Sequence, residues 1–229
     1  PSGHLLALTA DRSILKTVDG MSWTAVGTLS DTAAAHRLSV INVSAWIVDG
    51  VRVLRTMNYG ADWDTLREFG VYSVHFVNLD TGIIANSNGM EKTTNGGESW
   101  YTVYEIGLAG RYGGIEFTDA ENGVGYGREN GSHGARYGVI LRTTDGGEYW
   151  ESALSIFDTD FKSGGVSGDF AFCVGEGGIM AVRPADGSFI DQSEGEKHEI
   201  LDISFGDPKT GYMISSTPAL LERGILSKT

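Results

Sequence analysis

Polar and apolar positions along the chain fall into short, partly alternating segments bounded by glycine, asparagine or aspartate, with few helix-favouring runs, which predicts many strands joined by tight turns. One unit reads RLSVINV, AWIVDG, VRVLRT and DTLREFG, and the next VYSVHFVN, GIIANSN, MEKTT and WYTVYEI. Two more follow as GGIEFTD, NGVGYG, YGVILRTT and WESALSIF, then GGVSGDF, AFCVGEG, IMAVRP and SFIDQS. Alternation is incomplete, as expected where sheets pack face to face and their middle strands are buried on both sides. The first unit (HLLALTA, SILKTV, WTAVG) and the last (EILDISFGDPKTGYMIS, then GILSKT) each fall one strand short of this plan. Three similar connectors, FVNLDTG, FTDAENG and FGDPKTG, read as repeated turns between first and second strands.

One box keeps these segments in register. Arg142 to Trp150 reads RTTDGGEYW, Lys92 to Trp100 KTTNGGESW, Arg55 to Trp63 RTMNYGADW, and Lys16 to Trp23, one residue shorter, KTVDGMSW. The shared positions are Thr17, Asp19, Gly20 and Trp23; Thr56, Asn58, Gly60 and Trp63; Thr93, Asn95, Gly97 and Trp100; and Thr143, Asp145, Gly147 and Trp150. A degraded copy spans Arg183 to Phe189, with Asp186, Gly187 and Phe189 standing in for Asp, Gly and Trp. The physical reading is a tight turn between strands. The Asp or Asn side chain bonds back to amides ahead of it, glycine supplies positive φ, and Thr and Ser add local bonds. The Trp then starts the next strand as an apolar plate. A carboxylate beside Gly-Gly also suits a calcium or phosphate loop, but no second acidic residue stands at ligand spacing within each box, so no metal is expected.

This skeleton resembles the Asp-box, or BNR repeat, of sialidases, sortilin-type receptors, xyloglucan-degrading enzymes and photosystem II assembly-factor propellers. The TTDGGxxW form, preceded by a G-x-(I/L)-L-(R/K) strand, is most similar to the last of these and to phage proteins carrying the same repeat. The resemblance covers nearly the whole chain. It implies an all-β propeller, with each box on the turn between third and fourth strands of a blade, on the face opposite the usual ligand mouth. Six repeat positions predict a single domain over residues 1–229 with six blades, the terminal ones completed by chain closure or by a partner; five blades with a loose end is the alternative. A one-sided solenoid is disfavoured because no polar capping repeats occur. Since enzymes, receptors and scaffolds share the box, the resemblance speaks to fold more than to function.

Composition narrows the partners. A formal net charge of −13 argues against nucleic acid and anionic membranes, which attract positive surfaces. No apolar run has the length of a membrane span and no signal pattern opens the sequence, so cytoplasmic synthesis is expected. Cys173 is the only cysteine, which excludes an internal disulfide, and FAFCVG places it in an apolar strand as an inert thiol. His75 reads as a hydrogen-bonded core histidine, since no His or Cys lies at ligand spacing from it.

If the boxes line one face, the second-to-third strand loops and the connectors line the other. That face gathers an insertion, Arg128 to Arg136 (RENGSHGAR), and the LAGRYGG connector; Tyr104 and Glu105 lead into it, and Asp158, Asp160 and Lys162 leave the same unit. The candidate ligand-binding residues are therefore Arg111, Tyr112, Arg128, Glu129, His133, Arg136 and Tyr137. Arginines among aromatics suit a carboxylate, a sugar face or a protein hot spot, against the plainer reading of a Gly-rich loop with solvated charges. No catalytic residue and no cofactor is nominated. The alternative, a sialidase-like glycoside hydrolase, requires converging arginines, a Tyr activated by a Glu and an Asp acid. Its Arg-Ile-Pro or Arg-Leu-Pro signature is absent, and spacing singles out no carboxylate pair. The expected function is a non-catalytic recognition or assembly module for a protein or glycan, as a homo- or hetero-oligomer or on its own. The resemblance adds two settings, a virion tail component of a phage or an accessory subunit of a larger complex.

Overall fold

Residues 5–9, 11–29, 36–49, 52–68, 70–106, 110–176, 178–192, 199–207, 210–216 and 223–227 are described in the computed structural model. Among them every sheet is an antiparallel meander of sequence neighbours. The first joins β1 (Leu5–Leu8), β2 (Ser13–Thr17) and β3 (Thr24–Thr28); the second β4 (His36–Ile41), β5 (Ser44–Asp49), β6 (Arg52–Thr56) and β7 (Asp64–Arg67). The third joins β8 (Val71–Phe76), β9 (Gly82–Asn86), β10 (Gly89–Thr93) and β11 (Tyr101–Glu105); the fourth β12 (Gly110–Phe117), β13 (Gly123–Asn130), β14 (Arg136–Thr143) and β15 (Glu151–Phe157). The fifth joins β16 (Phe161–Ser167), β17 (Phe170–Gly175), β18 (Gly178–Val182) and β19 (Phe189–Asp191), and the sixth β20 (Glu199–Asp207), β21 (Thr210–Ser216) and β22 (Arg223–Ser227). Middle strands are buried on both faces, as the near-continuous apolar runs of β5 and β9 require. Parts of the LAGRYGG and FGDPKTG connectors, and the closing Lys228 and Thr229, lie outside the described residues. No helix among the described residues is long and apolar enough to cross a membrane.

The strands cluster into two compact units, Pro1–Ile84 with Thr93–Trp100, and Ala85–Lys92 with Tyr101–Thr229. In the first, Ile14, Leu29, Ile47 and Leu54 pack with Val26 and Trp63, and Trp46 stacks on Phe76 with ring centroids 3.8 Å apart. In the second, Val124, Tyr126, Ile140, Phe161, Cys173 and Met180 form one core cluster, and Phe172, Val174, Ile200 and Ile203 another. Cys173 lies in β17, and burial pushes its thiol well above the usual range. His75 lies half-buried in β8.

Each box closes on its threonine. Thr143 Oγ1 donates to Asp145 Oδ1 (2.8 Å) and accepts from Gly147 N–H (2.9 Å), while Asp145 Oδ1 accepts from Glu148 and Tyr149 N–H (both 3.0 Å). Thr93, Asn95 and Gly97 repeat the pattern, as do Thr56, Asn58 and Gly60, and Thr17, Asp19 and Gly20. All four threonines are buried, so a hydroxyl that used only one of its two bonding capacities would leave a desolvated polar group unpaired. The copy at Arg183 to Phe189 has no threonine and closes differently, through Arg183 N–H to Ser188 O (2.8 Å) and Gly187 N–H to Arg183 O (2.9 Å). Phe189 sits in β19 with an exposure close to that of Trp23 in the first box.

The residue before each threonine ties its sheet to the next box. Lys16 Nζ lies 5.2 Å above the Tyr59 ring, Arg55 donates to Gly96 O (3.2 Å), Lys92 pairs with Glu148 (2.7 Å) and Arg142 donates to Pro184 O (2.9 Å). Pairing of the strands flanking each box also slips by one residue at one repeated place, between Ile14 and Leu15, Val53 and Leu54, Met90 and Glu91, and Ile140 and Leu141. Val26 and Leu66 are the extra residues at two of these bulges. Their side chains occupy the room a Cβ would need at the following box's glycine, 3.0 Å away at Gly60 and 2.5 Å at Gly97. Those glycines have φ of 81° and 95°, so backbone conformation disfavours a larger residue, and Val26 or Leu66 would have to shift to admit one.

The box tryptophans each precede a strand, but their burial is graded. Trp150 is 3% exposed, its Nε1 donating to Gly147 O (3.2 Å) and its ring edge-on to Phe117, whereas Trp23 is 42% exposed. Trp150→Ala is expected to lower stability by about 3 to 5 kcal/mol and Trp23→Ala by about 1 kcal/mol, read from denaturant titrations. Equal losses would show that the tryptophans do not act through burial.

Acid should weaken the boxes unequally. Partial burial pushes the Asp145 carboxyl upward, but bonds from Tyr149, Thr143 and Glu148 and the Lys92 charge outweigh it and hold the group below the usual range. Bonds from Ser22 and Met21 N–H and Thr17 bring Asp19 to about 2. A depressed folded-state value means the stabilisation is complete above the unfolded value, about 4, and is lost as pH falls through the folded one. Since Asn58 and Asn95 fill the same role without titrating, Asp145→Asn should change stability at pH 7 by no more than about 0.5 kcal/mol. Below about pH 4 it should lose less than the wild type does, and matching acid losses in urea titrations would contradict the assignment.

Candidate functional site

In a meander, the turns from first to second and from third to fourth strand share one end of a sheet, and the second-to-third turns and connectors share the other. The bonds agree: Gly96 N–H donates to Asp80 O (2.8 Å) and Gly146 N–H to Glu121 O (2.9 Å), each joining a box to the first turn of its own sheet. Asn78 and Asp119 cap those turns by accepting from the amides ahead of them. The chemistry-bearing residues of the second unit stand at the end away from its boxes.

Arg111 and Tyr112 belong to β12, and Arg128 and Glu129 to β13, where register sets Arg111 directly opposite Arg128. Like charges opposed across a strand pair repel, so the position requires an anion nearby. Beside them, the hydroxyls of Tyr112 (2.5 Å) and Tyr104 (3.1 Å) both donate to Glu129 Oε1, and the two rings meet edge to face at 6.2 Å. Burial, then the bond and charge of Glu129, push the Tyr112 phenol far above its usual value. It is held as a donor. Arg128 Nε is buried and meets no hydrogen-bond acceptor among the described residues.

Asp160, half-buried between β15 and β16, is a carboxylate on which both arginines act. Burial raises its carboxyl above the usual range, with Glu176 adding to the rise, while Arg128, Lys162 and Arg111 pull it down. Arg136 grips Asp158 Oδ1 through Nε (3.1 Å) and Nη2 (2.9 Å), reaches Glu176 (3.2 Å), and feels the Asp160 charge. Lys162 bridges Glu176 (3.5 Å) and Glu199. The charged groups here are four cations, Arg111, Arg128, Arg136 and Lys162, and five carboxylates, Glu129, Asp158, Asp160, Glu176 and Glu199.

Several sequence expectations need correction. Arg111 and Tyr112 are strand residues rather than connector residues, and Tyr112 is fully buried, so a ligand can meet it only through the Tyr104 and Glu129 cluster. The insertion is largely a lengthened hairpin. Arg128, Glu129 and Asn130 pair with Gly138, Tyr137 and Arg136, and the tip carries the 3₁₀ turn Ser132–Gly134 with exposed His133 at φ 59°. Tyr137 packs edge-on against exposed Phe157, 5.6 Å away. Asp160, Glu176, Glu199 and Tyr104 complete the cluster but were not among the nominated residues. Only the position of Tyr104 and Asp160 beside the connectors hinted at them. Among the described residues no group of three or more His, Cys, Asp or Glu could hold a metal ion.

No protein-family profile matches the chain, and no curated protein sequence matches it. Solved structures do. A YCF48 protein bound to a D1 peptide aligns at TM-score 0.50 and 13% identity over 94% of this chain and 88% of its own. The GH74 enzyme of Niastella koreensis aligns at TM-score 0.70 and 12% identity over 93% of this chain, and an oligogalacturonate lyase in complex with manganese at 0.66 and 10% over 99%. The chain spans only 39% of the GH74 enzyme, against 74% of the lyase. At such identities the likeness defines the fold, an all-β propeller type, and leaves activity open.

Tyr112→Phe keeps the buried ring and removes the donor to Glu129. A loss of about 1 kcal/mol is expected in urea titrations, with a smaller loss for half-buried Tyr104→Phe. Unchanged stability in the first variant would mean that its hydroxyl is not bonded as described.

Proposed function

We propose that this chain is a non-catalytic recognition module that binds a protein segment at the end of its second unit away from the boxes. The observation that carries this reading is the opposed pair Arg111 and Arg128, both acting on the half-buried Asp160 carboxylate. A carboxylate from a partner would compete with Asp160 for these cations, and guanidinium groups bind carboxylates through paired, directional bonds. The YCF48 protein that aligns over most of its length was solved with a peptide bound, which supports a peptide as the partner class. Propeller architecture of six blades, one per sheet, with the boxes as Asp-box turns, is part of the same proposal, and a crystal structure would count the blades. A phage tail component or an accessory subunit remains the proposed setting on sequence resemblance alone, and identification of the neighbouring genes tests it.

A second reading, a glycoside-cleaving enzyme, draws on Asp160, whose raised carboxyl is the property a general acid needs, and on the likeness to the GH74 enzyme and the lyase. Peptide and glycan arrays, run beside a fluorogenic glycoside screen, separate the two. Acidic peptides should bind, more weakly as salt rises from low to physiological strength, and Arg111→Ala with Arg128→Ala should weaken them at least about tenfold, or about 1.4 kcal/mol. Binding unaffected by both changes would overturn the first reading; turnover abolished by Asp160→Asn would establish the second.

A further inference from the structure

The opposite end of the first unit carries a different surface. Val18, Met21 and Trp23 of the first box, Val43 of the β4–β5 turn, Met57 of the second box and Leu79 of the β8–β9 turn are all exposed large apolar residues. The turns that carry them are joined to one another at that end. Lys16 lies over the Tyr59 ring, Tyr59 N–H donates to Val43 O (2.8 Å), Arg55 reaches Gly96 O, and a Cβ on Gly96 would stand 3.3 Å from Leu79 O.

The turn itself does not ask for these side chains. Where the first two boxes have Val18 and Met57, the third and fourth have Thr94 and Thr144, exposed at the same position of the same bonded turn. Where the shortened first box has Met21, 89% exposed, they have Glu98 and Glu148. Apolar residues therefore occupy solvent positions that polar ones fill equally well, at Val18, Met21 and Met57 of the first two boxes, while the fourth box does so at Tyr149, where the others carry Ser22, Asp62 and Ser99. Large apolar side chains exposed on adjoining turns mark an interaction site, and methionine adapts to a partner's shape.

Charge selects the occupant. Asp19, Asp62, Asp64, Asp80 and Glu98 are exposed around these residues, while Lys16 is engaged with Tyr59 and Arg55 with Gly96 and Asp64. A second copy of a chain with net charge −13 would bring the same acidic rim against itself, and an anionic lipid surface would be repelled. We infer that the box end of the first unit is a second docking surface, for an amphipathic segment of another protein that presents an apolar stripe flanked by Lys or Arg.

The test uses the whole chain and a triple variant, Val18→Thr, Met21→Glu and Met57→Thr, which gives the first two boxes the residues the other boxes carry. The probes are three synthetic peptides of helical spacing: Leu with Lys, Ser with Lys, and Leu with Glu. The Leu/Lys peptide should bind the wild type at least about tenfold tighter than either control, and lose at least about tenfold on the triple variant. Met21→Glu adds negative charge, so a loss of affinity for a cationic peptide must come from the apolar contacts. Unchanged melting of the variant confirms the fold. Equal binding to both proteins, or equal binding of the Ser/Lys peptide, would overturn the inference. Self-association in sedimentation that the triple variant abolishes would overturn the partner assignment in favour of a second copy. Arg111→Ala with Arg128→Ala should leave this binding unchanged, so failure here and failure at the other site are distinguishable.

Discussion

A buried threonine hydroxyl that donates to one side chain and accepts from two main-chain amides is the constraint on which each repeat depends. It holds the box glycine at positive φ, and it orients the Asp or Asn oxygen toward the amides of the closing residues. Once the turn is set, the cation before the threonine can only point along the sheet end toward the next box, as Arg55 does to Gly96 and Lys92 to Glu148. The bulge in the same strand pair then presents Val26 or Leu66 to the glycine that follows. One hydroxyl thereby organises both the hairpin and its neighbour. Where it is missing, at Arg183 to Phe189, the turn closes through the main chain.

Placing this chemistry at one end of each sheet releases the other end from holding the fold. At that end of the second unit the strands can lengthen, as β13 and β14 do, and charged groups can accumulate without disturbing a core. The result is a cluster whose cations stand beside its own carboxylates, so under the proposed function an incoming anion would have to exchange with them rather than add to bare positive charge, and exchange favours directional recognition over nonspecific binding.

The strands and their turns were legible because each depends on residues close in sequence: β5, β9 and β17 coincide with AWIVDG, GIIANSN and AFCVGEG almost residue for residue. The box bonds were legible for the same reason. What could not be read was register. That Arg111 opposes Arg128, that Tyr112 turns inward onto Glu129, and that Glu176 and Glu199 meet Lys162 all follow from pairing between strands or sheets, for which the sequence offers no spacing rule. The repeated bulge was invisible too, since Val26 and Leu66 look like ordinary strand residues. The exposure of Trp23 set beside the burial of Trp150 shows that an identical motif position carries no fixed environment.

The same reasoning explains how a fold can be recognised at 10 to 13% identity while no family profile matches. A turn that needs only a hydroxyl, one amide or carboxylate oxygen, a glycine and an aromatic ring constrains a handful of positions per repeat and leaves the rest free to change, provided the middle strands stay apolar. Within this chain the bonded turns occupy one end of their sheets and the charged cluster of the second unit the other, so residues that hold a turn and residues that could meet a ligand are separate sets, and likeness of fold leaves the ligand open.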